Sequence, residues 1–156
     1  MSLDTETRVN AYFKSAIADT YNYYTNYDSE NKDLPESNVG ATIDVSFEDG
    51  TDEQLNDAVE YVETGTLVIS IKVELGKSAS QLSTISDQIK VAFRGPHGYL
   101  QMTPTGSEEG LIVFESLEKV PRGTISRKPS GRRAKNQSTR MWKREDIMLT
   151  YTKYCS

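Results

Sequence analysis

Few residues in this chain have the type and spacing for covalent or acid–base chemistry. His97 is the single histidine and stands between Pro96 and Gly98. A Ser-His-Asp arrangement therefore has one possible base, and Ser107 has no specific spacing to it. A histidine in such a turn reads as a surface loop residue, so a small enzyme built on His97 is the weakest functional reading. The single cysteine, Cys155, excludes an intramolecular disulfide and a cysteine-built zinc site, and reads as an inert thiol. Asp49, Asp52 and Glu53, and the pair Glu108 and Glu109, lie in polar, turn-like stretches. Nothing there suggests the desolvation that tunes a carboxyl for general acid work. The cluster EDGTDE at 48–53 lacks the spaced oxygen ligands of an EF-hand loop, and Gly95-Pro96-His97-Gly98 matches no phosphate-binding glycine pattern. The inventory yields no catalytic, cofactor or metal site, and the expectation is a protein that is not an enzyme.

Charge is more informative. The net charge of −5 conceals an acid-rich region of 21 acidic and 7 basic residues over 1–118, followed by a stretch at 119–144 with ten basic residues and no acid. Such asymmetry points to an interaction surface without naming the partner. Three readings stay open. Ten cations could neutralise several phosphates of a nucleic acid, although Trp142 is the only aromatic in the stretch and the rest of the chain would repel a polyanion. The acidic body and basic arm could instead complement one another between neighbouring copies, giving a ring if a head-to-tail contact closes. The third reading is a solvated hairpin tip. The residues to watch under the interaction readings are Arg122, Arg127, Lys128, Arg132, Arg133, Lys135 and Arg140.

The elements that position these residues follow from periodicity. Val9, Tyr12, Phe13, Ala16, Ile17 and Thr20 repeat at helical spacing and predict a helix over 4–20, with Asp4 or Thr5 as its cap. A dense tyrosine group follows (Tyr21, Tyr23, Tyr24, Tyr27), which either forms an interface patch or closes the helix end over the sheet. Residues 28–38 read as a polar loop. Ile43, Val45 and Phe47 alternate with polar residues up to a turn at Glu48, Asp49 and Gly50. The clearest strand is 65–75, where Leu67, Ile69, Ile71, Val73 and Leu75 predict one buried face and one mostly wet. Leu82, Ile85, Ile89, Ala92 and Phe93 predict a second helix, capped by Ser78 or Ser80. Short strands at 99–103 and 110–117 and a long one at 141–154 complete the pattern. The sum is one α+β domain over 1–156: an antiparallel or mixed sheet, two helices packed on one face, and a basic arm or extended hairpin at 119–139.

Length suits a single domain. No apolar run approaches the roughly 20 residues of a membrane span, and MSLDTETRVN lacks a signal-peptide pattern, so the expectation is a soluble, intracellular type of protein without membrane contact.

The order of these elements, with GTLVISIKVELGKSASQLSTISDQIKVAFRG at 65–95 and MWKREDIMLTYTKY at 141–154, resembles the tail terminator proteins of long-tailed bacteriophages and related neck and tail-completion proteins. Phe93-Arg94-Gly95 is similar to the element ending the helix in that group, and Trp142 to the tryptophan of its closing strand. The resemblance covers 4–20, 65–95 and 141–154, and rests on pattern and order. The long arm at 119–139 and the polar loop at 28–38 depart from it. It implies a non-enzymatic virion protein, assembled in the host cytoplasm, without a cofactor. It further implies a hexameric ring of this chain that caps the tail tube, meets the tube protein and the head-side connector, and lets DNA pass as cargo. Another neck or head–tail connector role, or a nucleic-acid-binding module using the arm, are the alternatives. Under the ring reading, sheet edges supply the rest of the subunit contact.

Overall fold

The computed structural model describes residues 3–27, 41–54, 61–74, 79–95, 98–127 and 140–155. Helix α1 (Leu3–Phe13) runs into a π-helical stretch, Lys14–Asp19. Val9, Phe13 and Ile17 are buried along it, but Thr20 is exposed. The wider π turn explains the miss: it rotates the face away from the 3.6-residue expectation, and the Thr20 hydroxyl donates back five residues to the Ser15 carbonyl at 2.7 Å. Asp4 and Thr5 are not caps. The helix starts at Leu3, so both lie inside its first turn, where they engage the sheet.

Strands β1 (Tyr24–Tyr27), β2 (Ala41–Gln54) and β3 (Tyr61–Glu74) precede helix α2 (Ala79–Ala92). Ser80 lies inside α2, and Ser78 lies outside the described residues. Two two-residue strands, β4 (Arg94–Gly95) and β5 (Gly98–Tyr99), pair with each other, and β6 (Gln101–Met102), β7 (Leu111–Arg127) and β8 (Arg140–Cys155) follow. The main sheet has the order β1-β2-β3-β8-β7-β6, with β1 parallel to β2 and the remaining pairs antiparallel. This is the expected α+β class, with a mixed six-stranded sheet and two helices.

Three local expectations are corrected. The chain does not turn at Gly50: β2 continues to Gln54 across a bulge between Glu48 and Thr51, which absorbs the turn-forming residues as extra, unpaired ones. The strand expected to be short at 110–117 runs on to Arg127 as β7, in keeping with the extended-hairpin reading of the basic stretch. Its pairing with β8 carries Pro121 and Gly123 at a second bulge, and Gly123 has φ of 76°, a conformation glycine adopts without strain. The outer face of β3 is not wet, since Val68, Ser70 and Lys72 are all buried. A central strand loses solvent through its neighbours on both sides, and period-two alternation reports only which side chains share a face.

One core holds the layers together. Val9, Phe13 and Ile17 of the first helix and Leu82, Ile85, Ile89 and Phe93 of the second meet Ile43, Val45, Leu67, Ile69, Ile71, Ile147 and Leu149 of the sheet. Each such side chain contributes roughly 1.5–3 kcal/mol on full burial. A run of edge-to-face rings, Tyr12–Phe93 at 5.6 Å, Phe93–Phe114 at 5.0 Å and Phe114–Tyr151 at 6.2 Å, links both helices to β7 and β8. Gly65 has no side chain because Tyr151 fills that space: a Cβ there would lie 2.5 Å from the phenolic oxygen.

Candidate interaction surface

The basic stretch is folded into a ribbon of two long antiparallel strands, β7 and β8. The ribbon has two electrically different parts. Near its base, cations meet acids of the following segment. Asp146 is almost fully buried and accepts from Arg144 Nε at 2.9 Å, Arg144 Nη2 at 3.0 Å and Arg122 Nε at 2.9 Å. Burial alone would push this carboxyl up, but the hydrogen bonds from Arg144, Ser70 and Arg122 outweigh it and hold Asp146 below its ordinary value. The same hydrogen bonding with Asp146 raises Arg144. Lys119 places its ammonium 3.1 Å from buried Glu145. On the neighbouring strands of the outer face, Lys72 pairs with Asp44.

Toward the other end, β7 beyond Glu118 and β8 before Glu145 carry no acid of their own. Trp142 of β8 is the last residue opposite β3, where it faces Glu74, and the β7–β8 register continues past it through Ser126 and Met141 to Arg127 and Arg140. Two cationic residues thus face each other across the last described rung, an arrangement that is unfavourable for a strand pair on its own. Lys143, three residues from Arg140 and so on the other face of β8, is exposed. Of the expected contact residues, then, Arg122 sits at the neutralised base, and Arg127 and Arg140 close the described ribbon. Lys128, Arg132, Arg133 and Lys135 lie outside the described residues.

The acidic residues have a place of their own. Strands β2 and β3 form an antiparallel hairpin whose last rung is Gln54 opposite Tyr61, in line with Cys155 at the far end of β8. The sequence from Glu48 to Glu60 contains six acids and no base. Basic and acidic hairpins therefore leave the sheet at opposite ends of the strand direction. The edges above them are also open. Strand β1 covers β2 only at Thr42 to Val45, and β6 covers β7 only at Ile112 and Val113; among the described residues no strand flanks the rest. Pro121, lacking an amide hydrogen, is tolerated on such an edge.

A second polar cluster lies under the first helix, and the charge pattern alone did not reveal it. Lys153 is fully buried, 2.9 Å from Asp4 and 4.0 Å from Glu63, and the Thr5 hydroxyl donates to Glu63 at 3.0 Å. Arg8, also buried, donates to the carbonyls of Met102, Glu109 and Gly110 at 2.8–2.9 Å and so ties α1 to the segment before β7. Burial would raise Asp4, but Lys153, Arg8 and the Glu109 amide together hold it below its ordinary value. The signal for Lys153 was present as parity: it continues the inward series Ile147, Leu149, Tyr151. Every group here is spent on another, which makes it structural.

The remaining candidates are dispersed. His97 lies outside the described residues. Glu108 accepts from the Thr105 amide and hydroxyl at 2.9 and 2.7 Å, closing a turn, with Arg8 Nε 3.6 Å away. Cys155 is a buried free thiol beside an open cleft of about 720 Å³ that Tyr61, Glu108 and Tyr154 also line. Asp49, Asp52 and Glu53 belong to β2. Among the tyrosines, Tyr23 donates to Gln88 Oε1 at 2.6 Å and Tyr27 packs on the core, which fits closure of the helix end, while Tyr21 remains exposed and stacks on Tyr23 at 5.8 Å. Among the described residues no helix is long and apolar enough to cross a membrane.

No family model and no curated protein matches this chain. Seventeen solved chains resemble it in structure. One of them, 13% identical with a TM-score of 0.56, covers 98% of this chain and 96% of its own length. That likeness shows a shared fold over the whole domain.

Proposed function

We propose that this chain is a structural subunit of the tail-terminator kind, which assembles into a ring capping the tail tube of a long-tailed bacteriophage and joins it to the head-side connector. The observation that carries the reading is the cationic end of the β7–β8 ribbon, where Arg127 stands opposite Arg140 in a stretch of sequence without acids. A strand pair that juxtaposes like charges gains most when an acidic neighbour comes to it. The base of the same ribbon illustrates the alternative, with cations already satisfied within the chain. The hexameric count, the tube protein and connector as partners, the passing DNA and the place in the virion come from the resemblance carried by residues 65–95 and 141–154.

Sedimentation velocity with native mass spectrometry tests the assembly. Closed oligomers that loosen as salt rises are expected, because exposed charges are screened. A monomer at every protein and salt concentration would sink the reading. Immunogold labelling of particles carrying the chain tests the location, with label expected at the head-proximal end of the tail. Tight, salt-sensitive duplex binding by the isolated protein would instead favour the nucleic-acid module.

A further inference from the structure

We propose that the open cleft at the Cys155 end of β8 binds an organic cation, a guanidinium or alkylammonium group carried on an apolar stem. The cleft lies at the opposite end of β8 from the basic ribbon, and the inference does not depend on ring assembly.

Four observations carry it. First, the backbone shapes the cleft. Gly110 has φ of 73°, and a Cβ there would collide with the Tyr154 carbonyl and come within 3.0 Å of Cys155 Sγ. A glycine lets the turn carrying Glu108 and Glu109 close this tightly on the end of β8. The space left is about 720 Å³, within the range of small-ligand sites. Second, its walls are aromatic and apolar. Tyr61 and Tyr154 line it from neighbouring strands, one rung apart in the register, with Leu111 of β7. Tyr154 is half exposed, while the Cys155 thiol, more than nine-tenths buried, lines the cleft without a hydrogen bond to any described residue. Third, the charge is of one sign. Glu108 and Glu109 line the cleft, and no described lysine or arginine does. Hydrogen bonds from Thr105 hold Glu108 below its ordinary value, so it is ionised at neutral pH. The buried guanidinium of Arg8 spends its Nη groups on the carbonyls of Met102, Glu109 and Gly110, and brings only Nε to 3.6 Å from Glu108. Glu109 is engaged through its backbone, the amide donating to Asp4 and the carbonyl accepting from Arg8. Its carboxylate has no partner among the described residues. Fourth, the donors do not suit a metal ion. Two carboxylates fall short of the roughly six oxygens a hard cation takes, and the described residues hold no group of three or more metal-ligating side chains. A weakly hydrated organic cation gains from the tyrosine faces as well as from the carboxylates.

The test titrates the full, isotope-labelled chain with n-butylguanidinium and with n-butylurea, its neutral isostere, and follows the amide resonances by NMR. The cation is expected to bind with Kd of about 1 mM, with shifts concentrated at Gly110, Leu111, Tyr154 and Cys155. The urea should bind on the order of 10-fold more weakly. Glu109→Gln removes the unpartnered carboxylate and keeps its backbone contacts, for an expected loss of about 5-fold. Tyr154→Leu keeps the wall apolar but removes the aromatic face, for a loss of about 3-fold. Melting curves check both variants, and exposed Glu109 keeps the test decisive if the Tyr154 variant fails to fold. An end-capped leucyl-arginyl-leucine peptide separates the sources of the cation. Tighter binding than n-butylguanidinium assigns the site to an arginine on a protein segment, and weaker binding to a free small cation. Equal binding of n-butylurea would overturn the site, as would the same shifts from calcium chloride at equal concentration. So would Glu109→Gln binding like the parent, or shifts spread over the acidic residues at large.

Discussion

The two ends of strand β8 treat a positive charge in opposite ways. At the end near Cys155, Lys153 is sealed from solvent and shared between Asp4 and Glu63. At the other, Arg140 faces Arg127 on the neighbouring strand. Between them Arg144 is about a third exposed and held by Asp146. Along one strand, then, cations pass from buried and fully matched, through half-buried and matched, to a rung of like charge. A buried ion is tolerated only when its partners are fixed, so the first is part of the fold. The last is set by backbone register alone, Arg140 opposite Arg127 at the end of the described ribbon.

The sharpest way to break the contrast is at Lys153. Replacement by methionine keeps the volume but leaves Glu63 buried without its cation. The expected loss is about 3–5 kcal/mol, or a melting temperature lower by roughly 10 °C for a domain of this size. If Lys153→Met melts within a degree or two of the parent, the cluster under α1 is not holding the fold. Adding Glu63→Leu to that variant is expected to recover much of the loss, since a buried ion pair replaced by apolar groups is often neutral.

Asp146→Asn comes next. Its carboxylate is buried, but Arg122 is nearly half exposed and Arg144 a third, so both guanidiniums relax toward water when it is neutralised. The expected cost is about 1–3 kcal/mol, read from denaturant midpoints. A loss as large as that at Lys153 would mean the ribbon base is buried as deeply as the helix cluster.

Acid titration reads both clusters at once. Asp4 and Asp146 are held below their ordinary value in the folded chain by their cationic partners. A group depressed on folding stabilises fully above its unfolded pKa, and the benefit fades as pH falls through the unfolded and then the folded value. Melting temperature should therefore drop below about pH 4, and Asp146→Asn should flatten part of that fall. An unchanged acid limb in the variant would contradict the assignment to Asp146.

How far the sequence spoke follows from the same contrast. Period-two alternation located β3 and β8 and helical spacing located both helices, because burial of one face leaves its mark on residue order. The inward series through Ile147, Leu149 and Tyr151 even reaches Lys153, but a lysine there reads as exposed until Asp4 and Glu63 are brought to it from 149 and 90 positions away. Local rules failed where the sheet overrode them. Glu48, Asp49 and Gly50 are turn-formers that a bulge absorbs, and Pro121 and Gly123 sit in β7 because its pairing with β8 outweighs their preference. Arg122 looked like its neighbours in the basic stretch. Only the register shows that Asp146 has already claimed it.

The smallest effect is the most discriminating. Arg140→Gln removes one of two cations facing each other at the end of the ribbon. If that rung exists for the fold, loss of the charge should destabilise as at any matched site. If it exists for a partner, relief of the repulsion should leave the monomer unchanged or up to about 0.5 kcal/mol more stable, the scale of a cross-strand like-charge pair. The measurement is urea unfolding at low salt, where repulsion is least screened, repeated at high salt, where the gain should vanish. A clear destabilisation of the monomer would place Arg140 with Lys153 among the charges the fold requires, and would collapse the distinction between the two ends of β8.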